Sequence, residues 1–168
     1  MRKTRNLKFR FSLTVILLIL SATTTAETKT APAPAKPVHG EYQDWRLLSV
    51  SHRTDKQTLR AILGNDAAIE AARKGQTKPW PDGAVLAKVV WKERAHPNWP
   101  QAVVPGEFAG AEAMIKDSKK YAATGGWGFA HWDGNKLVMH EEAKVKECFA
   151  CHMPMKDNDY TYTFSALQ

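Results

Sequence analysis

KPWPDGAVLAKVVWKER, residues 78–94, is the stretch from which the fold can be read. Pro79, Pro81, Asp82 and Gly83 make a turn, two prolines presetting φ and the Asp-Gly pair closing it. From there a period of two places Ala84, Leu86, Lys88 and Val90 on one face and Val85, Ala87, Val89 and Trp91 on the other. Both faces are apolar, which predicts a strand buried on both sides. Lys88 is the exception. An ammonium between Leu86 and Val90 is unfavourable unless it pairs with a carboxylate, sheds its charge, is bonded, or snorkels to the sheet edge.

Working outward, YQDWRLLSVSHR (42–53) reads as a strand or loop-strand, and TLRAILGND (58–66) as a strand and turn. DAAIEAARKG reads as a helix capped by Asp66 and stopped by Gly75. HPNWPQAVVPG (96–106) is predicted to be a proline-rich loop, EFAGAEAMI a strand, and KDSKKYAATGG a short helix stopped by Gly125. WGFAHW, DGN and KLVMH read as strand, turn and partner strand; EEAKVKECFACH (141–152) has helical composition; DYTYTF (159–164) alternates like a final strand. Strands and helices do not alternate regularly. The expected class is therefore α+β, an antiparallel β-sheet with a few flanking helices.

The first 26 residues have the layout of a secretory signal peptide: Arg2, Lys3, Arg5, Lys8 and Arg10, then an apolar run Phe11–Leu20, then Thr24-Thr25-Ala26. The run is about half of the ~20 residues a membrane-spanning helix needs. Without this segment the formal charge falls from +7 to +2. The remaining chain has no electrostatic case for binding nucleic acid. Residues 27–38, ETKTAPAPAKPV, form a stiff Ala/Pro linker. The folded domain is expected over 39–168, and the destination is the periplasm.

In an exported chain, ECFACH (147–152) has one dominant reading: Cys148 and Cys151 attach one haem c covalently through thioethers, and His152 supplies the iron's proximal nitrogen. A redox dithiol would need a βαβ pattern, a structural zinc site four ligands, and a copper site would recruit Met153 and Met155. A second axial ligand could come from Met114, Met139, Met153, Met155, His39, His52, His96, His131 or His140, and no context singles one out. The motif's position near the C-terminus of a strand-rich chain argues against the small all-helical cytochromes c.

DWR (44–46), TLRAILGND, WPDGAVLAKVVWKE, VPGEF, KDSKKYAATGGWGFAHW, CFACH and DNDYTYTF together resemble the cytochrome P-460 family over nearly the whole domain. The resemblance implies a β-rich α+β fold, often homodimeric, with five-coordinate haem attached near the C-terminus and an open distal site. Its best-known members oxidise hydroxylamine and carry a lysine bonded to a porphyrin meso carbon; Lys88 falls at that lysine's position, with Lys92 the fallback. A related branch, cytochrome c-prime-beta, lacks the bond and binds nitric oxide. Arg60 matches an arginine near the haem. Glu141, Glu142 and Glu112 are candidates for a distal proton acceptor, and the choice among them is open. The expected partners are a small nitrogen compound or gas and a redox partner protein. The alternative function is a non-enzymatic haem protein that binds nitric oxide or transfers electrons.

Overall fold

The computed structural model describes residues 41–167. The segments read as a signal peptide (1–26) and a linker (27–38), together with His39, lie outside them. Six strands run in chain order across one antiparallel sheet: β1 (Arg46–Arg53), β2 (Thr58–Gly64), β3 (Val85–His96), β4 (Trp99–Lys116), β5 (Trp127–Asp133) and β6 (Lys136–Met139). Helix α1 (Asp66–Arg73) lies between β2 and β3, and α2 (Glu142–His152) follows β6. The α+β expectation holds.

The strand at the centre of the sequence is also central in the sheet, with β2 on one side and β4 on the other. Its alternation sorts two apolar clusters. Leu86 joins Leu48, Ile69, Trp80, Trp127 and Phe129 on one face, where α1 and α2 pack. Ala87 and Val89 join Tyr42 and Ala111 on the other, flanked by Trp45, Trp91 and Trp132. Burial of each large aliphatic side chain here stabilises by about 1.5–3 kcal/mol. Lys88 departs from the doubly buried expectation. Its side chain is 35% exposed and ion-paired with Glu112, directly opposite on β4.

Four local expectations are corrected. Residues 96–106 are strand, not loop: His96 pairs with Trp99, leaving only Pro97 and Asn98 as the turn. β2 pairs β3 only as far as Lys92, and β5 pairs β4 only over Glu112–Lys116, so the hairpin's outer part is a two-stranded ribbon. Pro100 and Pro105 can sit on such edges, where a missing N–H removes no central ladder bond. The helix cap is Asn65, not Asp66: Asn65 Oδ1 accepts from Ala68 N–H at 3.1 Å and Val85 N–H at 3.0 Å, while Asp66 pairs with Arg46. The segment before Gly125 makes only a 3-10 turn, Ala122–Thr124: Asp117 accepts from the amides of Lys119 and Lys120 as a helix cap does, but Gly125 and Gly126 take left-handed φ values of 66° and 84° and end the segment.

The fourth correction concerns residues 159–164, which form no strand. Asp159 and Tyr160 take left-handed φ values of 48° and 59°. Asn158 Nδ2 donates to the carbonyls of Thr161 and Thr163, and the Thr161 hydroxyl to the Asn158 carbonyl. These local bonds satisfy the polar groups that a ladder would have used.

Candidate haem-binding site

α2 presents Cys148, Cys151 and His152 at helical positions i, i+3 and i+4, which lie on one side of a helix. Cys148 is half-buried against the cluster containing Leu86 and Phe129, and Cys151 is exposed; both are free thiols. The half-buried His152 ring packs against Phe129 (centroids 5.6 Å apart) and edge-on to Tyr162 (5.5 Å). The Tyr162 hydroxyl donates to the Cys151 carbonyl at 3.0 Å, tying the outgoing chain back to the helix.

His152 Nδ1 lies 2.6 Å from the Tyr160 carbonyl oxygen. A carbonyl only accepts, so Nδ1 carries the hydrogen and donates it. The other nitrogen, Nε2, is left with its lone pair, the arrangement a metal-ligating histidine requires. Burial pushes His152 below the ordinary histidine range, with Lys88 adding to that and the Tyr160 bond opposing it, so the neutral ligating form is favoured.

Cross-strand register builds the rest of the site. Ile62, Lys88, Glu112 and His131 stand directly opposite one another across β2, β3, β4 and β5. The next row holds Leu86, Met114 and Phe129, so an amine, a carboxylate and an imidazole share the face on which His152 meets Phe129. Burial raises the Glu112 carboxyl, but Lys88, with smaller pulls from His140 and Lys144, outweighs burial and holds it below the usual carboxylate value. Burial, aided by Glu112, pushes the Cys148 thiol up. His131 stacks on His140 (centroids 4.9 Å, planes 12° apart). Burial and the neighbouring His131 lower His140.

Arg60, one row further along β2 opposite Val90, is half-buried on the same face; burial and Arg53 push its guanidinium down. Lys92 is exposed and pairs with Glu107 at 2.6 Å. Glu141 and Glu142 are exposed at the start of α2, where Glu142 pairs with Lys146 at 2.6 Å. Of the three glutamates, the register brings only Glu112 to Lys88. Among the axial candidates, Met139 pairs with Ala130 on the opposite sheet face. His52 pairs with Glu93, and His96 sits at the ribbon tip beside Trp99. Met153 and Met155 follow α2 in a 3-10 segment. Met114, His131 and His140 remain on the face under α2. Phe129 and Tyr160 were not singled out by the sequence; the alternation of WGFAHW, which pairs Phe129 with His131, was the available signal for the first.

Among the described residues, no group of three His, Cys, Asp or Glu side chains is placed to hold a bare metal ion. A porphyrin brings four nitrogens of its own and asks the protein for an axial ligand and two thiols. The buried side-chain atoms without a partner fit such a group. Among the described residues they are Thr58 Oγ1, Arg60 Nε and His131 Nδ1. By strand alternation all three belong to the face under α2. Buried polar groups rarely go unpaired, and a ligand with polar or anionic edges on this face would answer them.

The family model described as Cytochrome P460 matches residues 39–163. No curated protein matches the chain. Since that match spans well over half of the sequence, and the residues it contains suit the group it implies, the chain belongs to the cytochrome P460 family of haem c cytochromes.

Proposed function

We propose that the chain is an exported, periplasmic mono-haem cytochrome that oxidises hydroxylamine or a similar small nitrogen compound and passes electrons to a redox partner protein. The observation that carries this reading is the row Lys88–Glu112–His131 on the face where His152 packs. A haem held there would supply a redox-active iron at which a small nitrogen compound could react. Cys148 and Cys151 would hold it by thioethers, and His152 Nε2 would be the axial ligand.

Oxidising an N–H compound releases protons, so the site needs acceptors. Glu112 is held ionised by Lys88 and is therefore ready to accept near neutral pH. His140, lowered by burial and by His131, is a neutral imidazole at the same pH and is a second acceptor. Lys88 would be the amine that bonds an oxidised macrocycle, one hydrogen leaving the nitrogen and one the ring carbon as protons while two electrons pass to an external oxidant, and the bond would distort the ring and tune its electronics. The basic and apolar pattern of residues 1–26 supports export, and the mature chain should begin near Glu27.

The test is the absorption spectrum of the purified ferrous protein beside that of Lys88→Leu, with hydroxylamine oxidation measured on both. Wild type should show a main band far to the red of an ordinary c-type cytochrome. Lys88→Leu should stay folded, show the ordinary spectrum and oxidise little hydroxylamine. One observation favours the second reading, a nitric oxide binder or electron carrier: Lys88 is ion-paired with Glu112, and a paired ammonium is a poor nucleophile. An ordinary spectrum in wild type selects that reading.

A further inference from the structure

Among the described residues, away from the thiols and the Lys88 row, one charged pair is buried. Lys116, at the end of β4, and Asp159, just beyond α2, are 5% and 9% exposed, and Lys116 Nζ donates to both carboxylate oxygens at 2.8 Å. The surroundings complete both groups. Nζ also donates to the Gly125 carbonyl at 3.1 Å and lies over the Trp127 ring. Asp159 Oδ2 accepts from the Trp80 amide at 2.8 Å, and the Asp159 carbonyl accepts from Trp127 Nε1–H at 2.8 Å.

We propose that this buried Lys116–Asp159 pair positions the proximal histidine, by fixing the turn whose Tyr160 carbonyl receives the His152 Nδ1 hydrogen. The proposal rests on the reading of His152 as the axial ligand. Asp159 and Tyr160 are consecutive non-glycine residues in the left-handed region, φ 48° and 59°. Such conformations persist only where the surroundings over-determine them. Here the determinants are the ion pair, the two tryptophan donors, and the Tyr160 amide bonded to the Met155 carbonyl at 2.8 Å. Lys116 stands opposite Trp127 in the β4–β5 ladder, so both anchors belong to the sheet. The contacts therefore run unbroken from the sheet through Asp159 and Tyr160 to His152 Nδ1. A partner that holds Nδ1–H orients the ring and raises its basicity toward a metal. Lys116 and Asp159 touch neither the His152 ring nitrogens nor the Lys88 row, and act only through Tyr160.

The experiment uses purified holoprotein of wild type, Asp159→Asn, Lys116→Met, the double variant, and Ile69→Val as a core control. Covalent haem is quantified in each, stability is read by urea unfolding, and the ferrous iron–histidine stretching band and the reduction potential are measured. Asp159→Asn and Lys116→Met should keep covalent haem, move the stretching band to lower frequency and raise the potential. The double variant leaves no charge buried alone, so it should recover stability while its band stays shifted. It carries the test if a single variant does not fold. Ile69→Val should lose stability with band and potential unmoved. An unshifted band and potential in the folded variants, or an equal shift in Ile69→Val, would overturn the proposal while leaving the ligand reading intact. Wild type without covalent haem, or with a haem iron not bound by His152, would overturn both.

Discussion

Gly125→Ala tests the packing behind His152 with a single methyl group. Gly125 has φ 66°, and a Cβ built there lies 2.2, 2.5 and 2.8 Å from Tyr160 Cε2, Cδ2 and Cζ. Ordinary carbon contacts lie at about 3.5–4.0 Å, so the Tyr160 ring must retreat by more than an ångström. It cannot do so freely, because it packs on the core and against Phe149, with ring centroids 5.3 Å apart. The left-handed backbone costs an alanine about 1–2 kcal/mol, and overpacking adds about 1–3 kcal/mol. Together these predict a loss of about 2–5 kcal/mol, from a stability of about 5–15 kcal/mol for a domain of this kind. Gly75→Ala separates the two contributions. Gly75 has φ 65° but nothing within 4 Å of its Cβ position, so it should lose only the backbone part, about 1–2 kcal/mol. Urea unfolding of both holoproteins, followed by circular dichroism, gives the comparison. If Gly125→Ala costs no more than Gly75→Ala, Tyr160 does not sit against Gly125 and the account of the turn is wrong.

Cys148→Ala with Cys151→Ala should abolish covalent haem, seen as loss of haem stain on a denaturing gel, while His152→Ala should keep the attachment and alter the iron's spectrum. Glu112→Gln should cost about 0.2–1 kcal/mol of stability, since its pair with Lys88 is partly exposed. If Glu112 is the proton acceptor, the same change should lower hydroxylamine oxidation about 100-fold or more; unchanged turnover would remove it from that role. The folded protein should also lose stability as pH falls below about 6.5. His140 is depressed in the folded state relative to an ordinary value of about 6.5. In the window between the two values the unfolded chain binds more protons, so stability rises with pH there and falls on acidification. His140→Gln should flatten that limb of a plot of Tm against pH.

Much of the site was legible in the sequence because its elements are local. The spacing of Cys148, Cys151 and His152 puts all three on one side of any helix that contains them, whatever that helix packs against. Likewise, strand alternation separates Lys88 from Trp91 before any neighbour is known. Turn chemistry also located the β5–β6 hairpin at Asp133-Gly134-Asn135. Local chemistry misled where a long-range partner decided the outcome. Pro100 and Pro105 read as loop, yet sit on a two-stranded ribbon that no other strand among the described residues flanks. The alternation of DYTYTF reads as strand, yet Asn158 and Asp159 bind that segment into a turn.

Only the tertiary structure shows that Glu112, and not Glu141 or Glu142, stands opposite Lys88. A glutamate's own neighbours in sequence say which face it shares, not which cross-strand residue it meets; that is set by the β3–β4 register. The same holds for His131 beside Glu112 and for the stack of His131 on His140. It holds most fully for Lys116 and Asp159, which lie 43 positions apart. In the sequence each is one charged residue among many. Excluding water from both at once is what joins them, and burial of that kind is a property of the packed chain rather than of any segment.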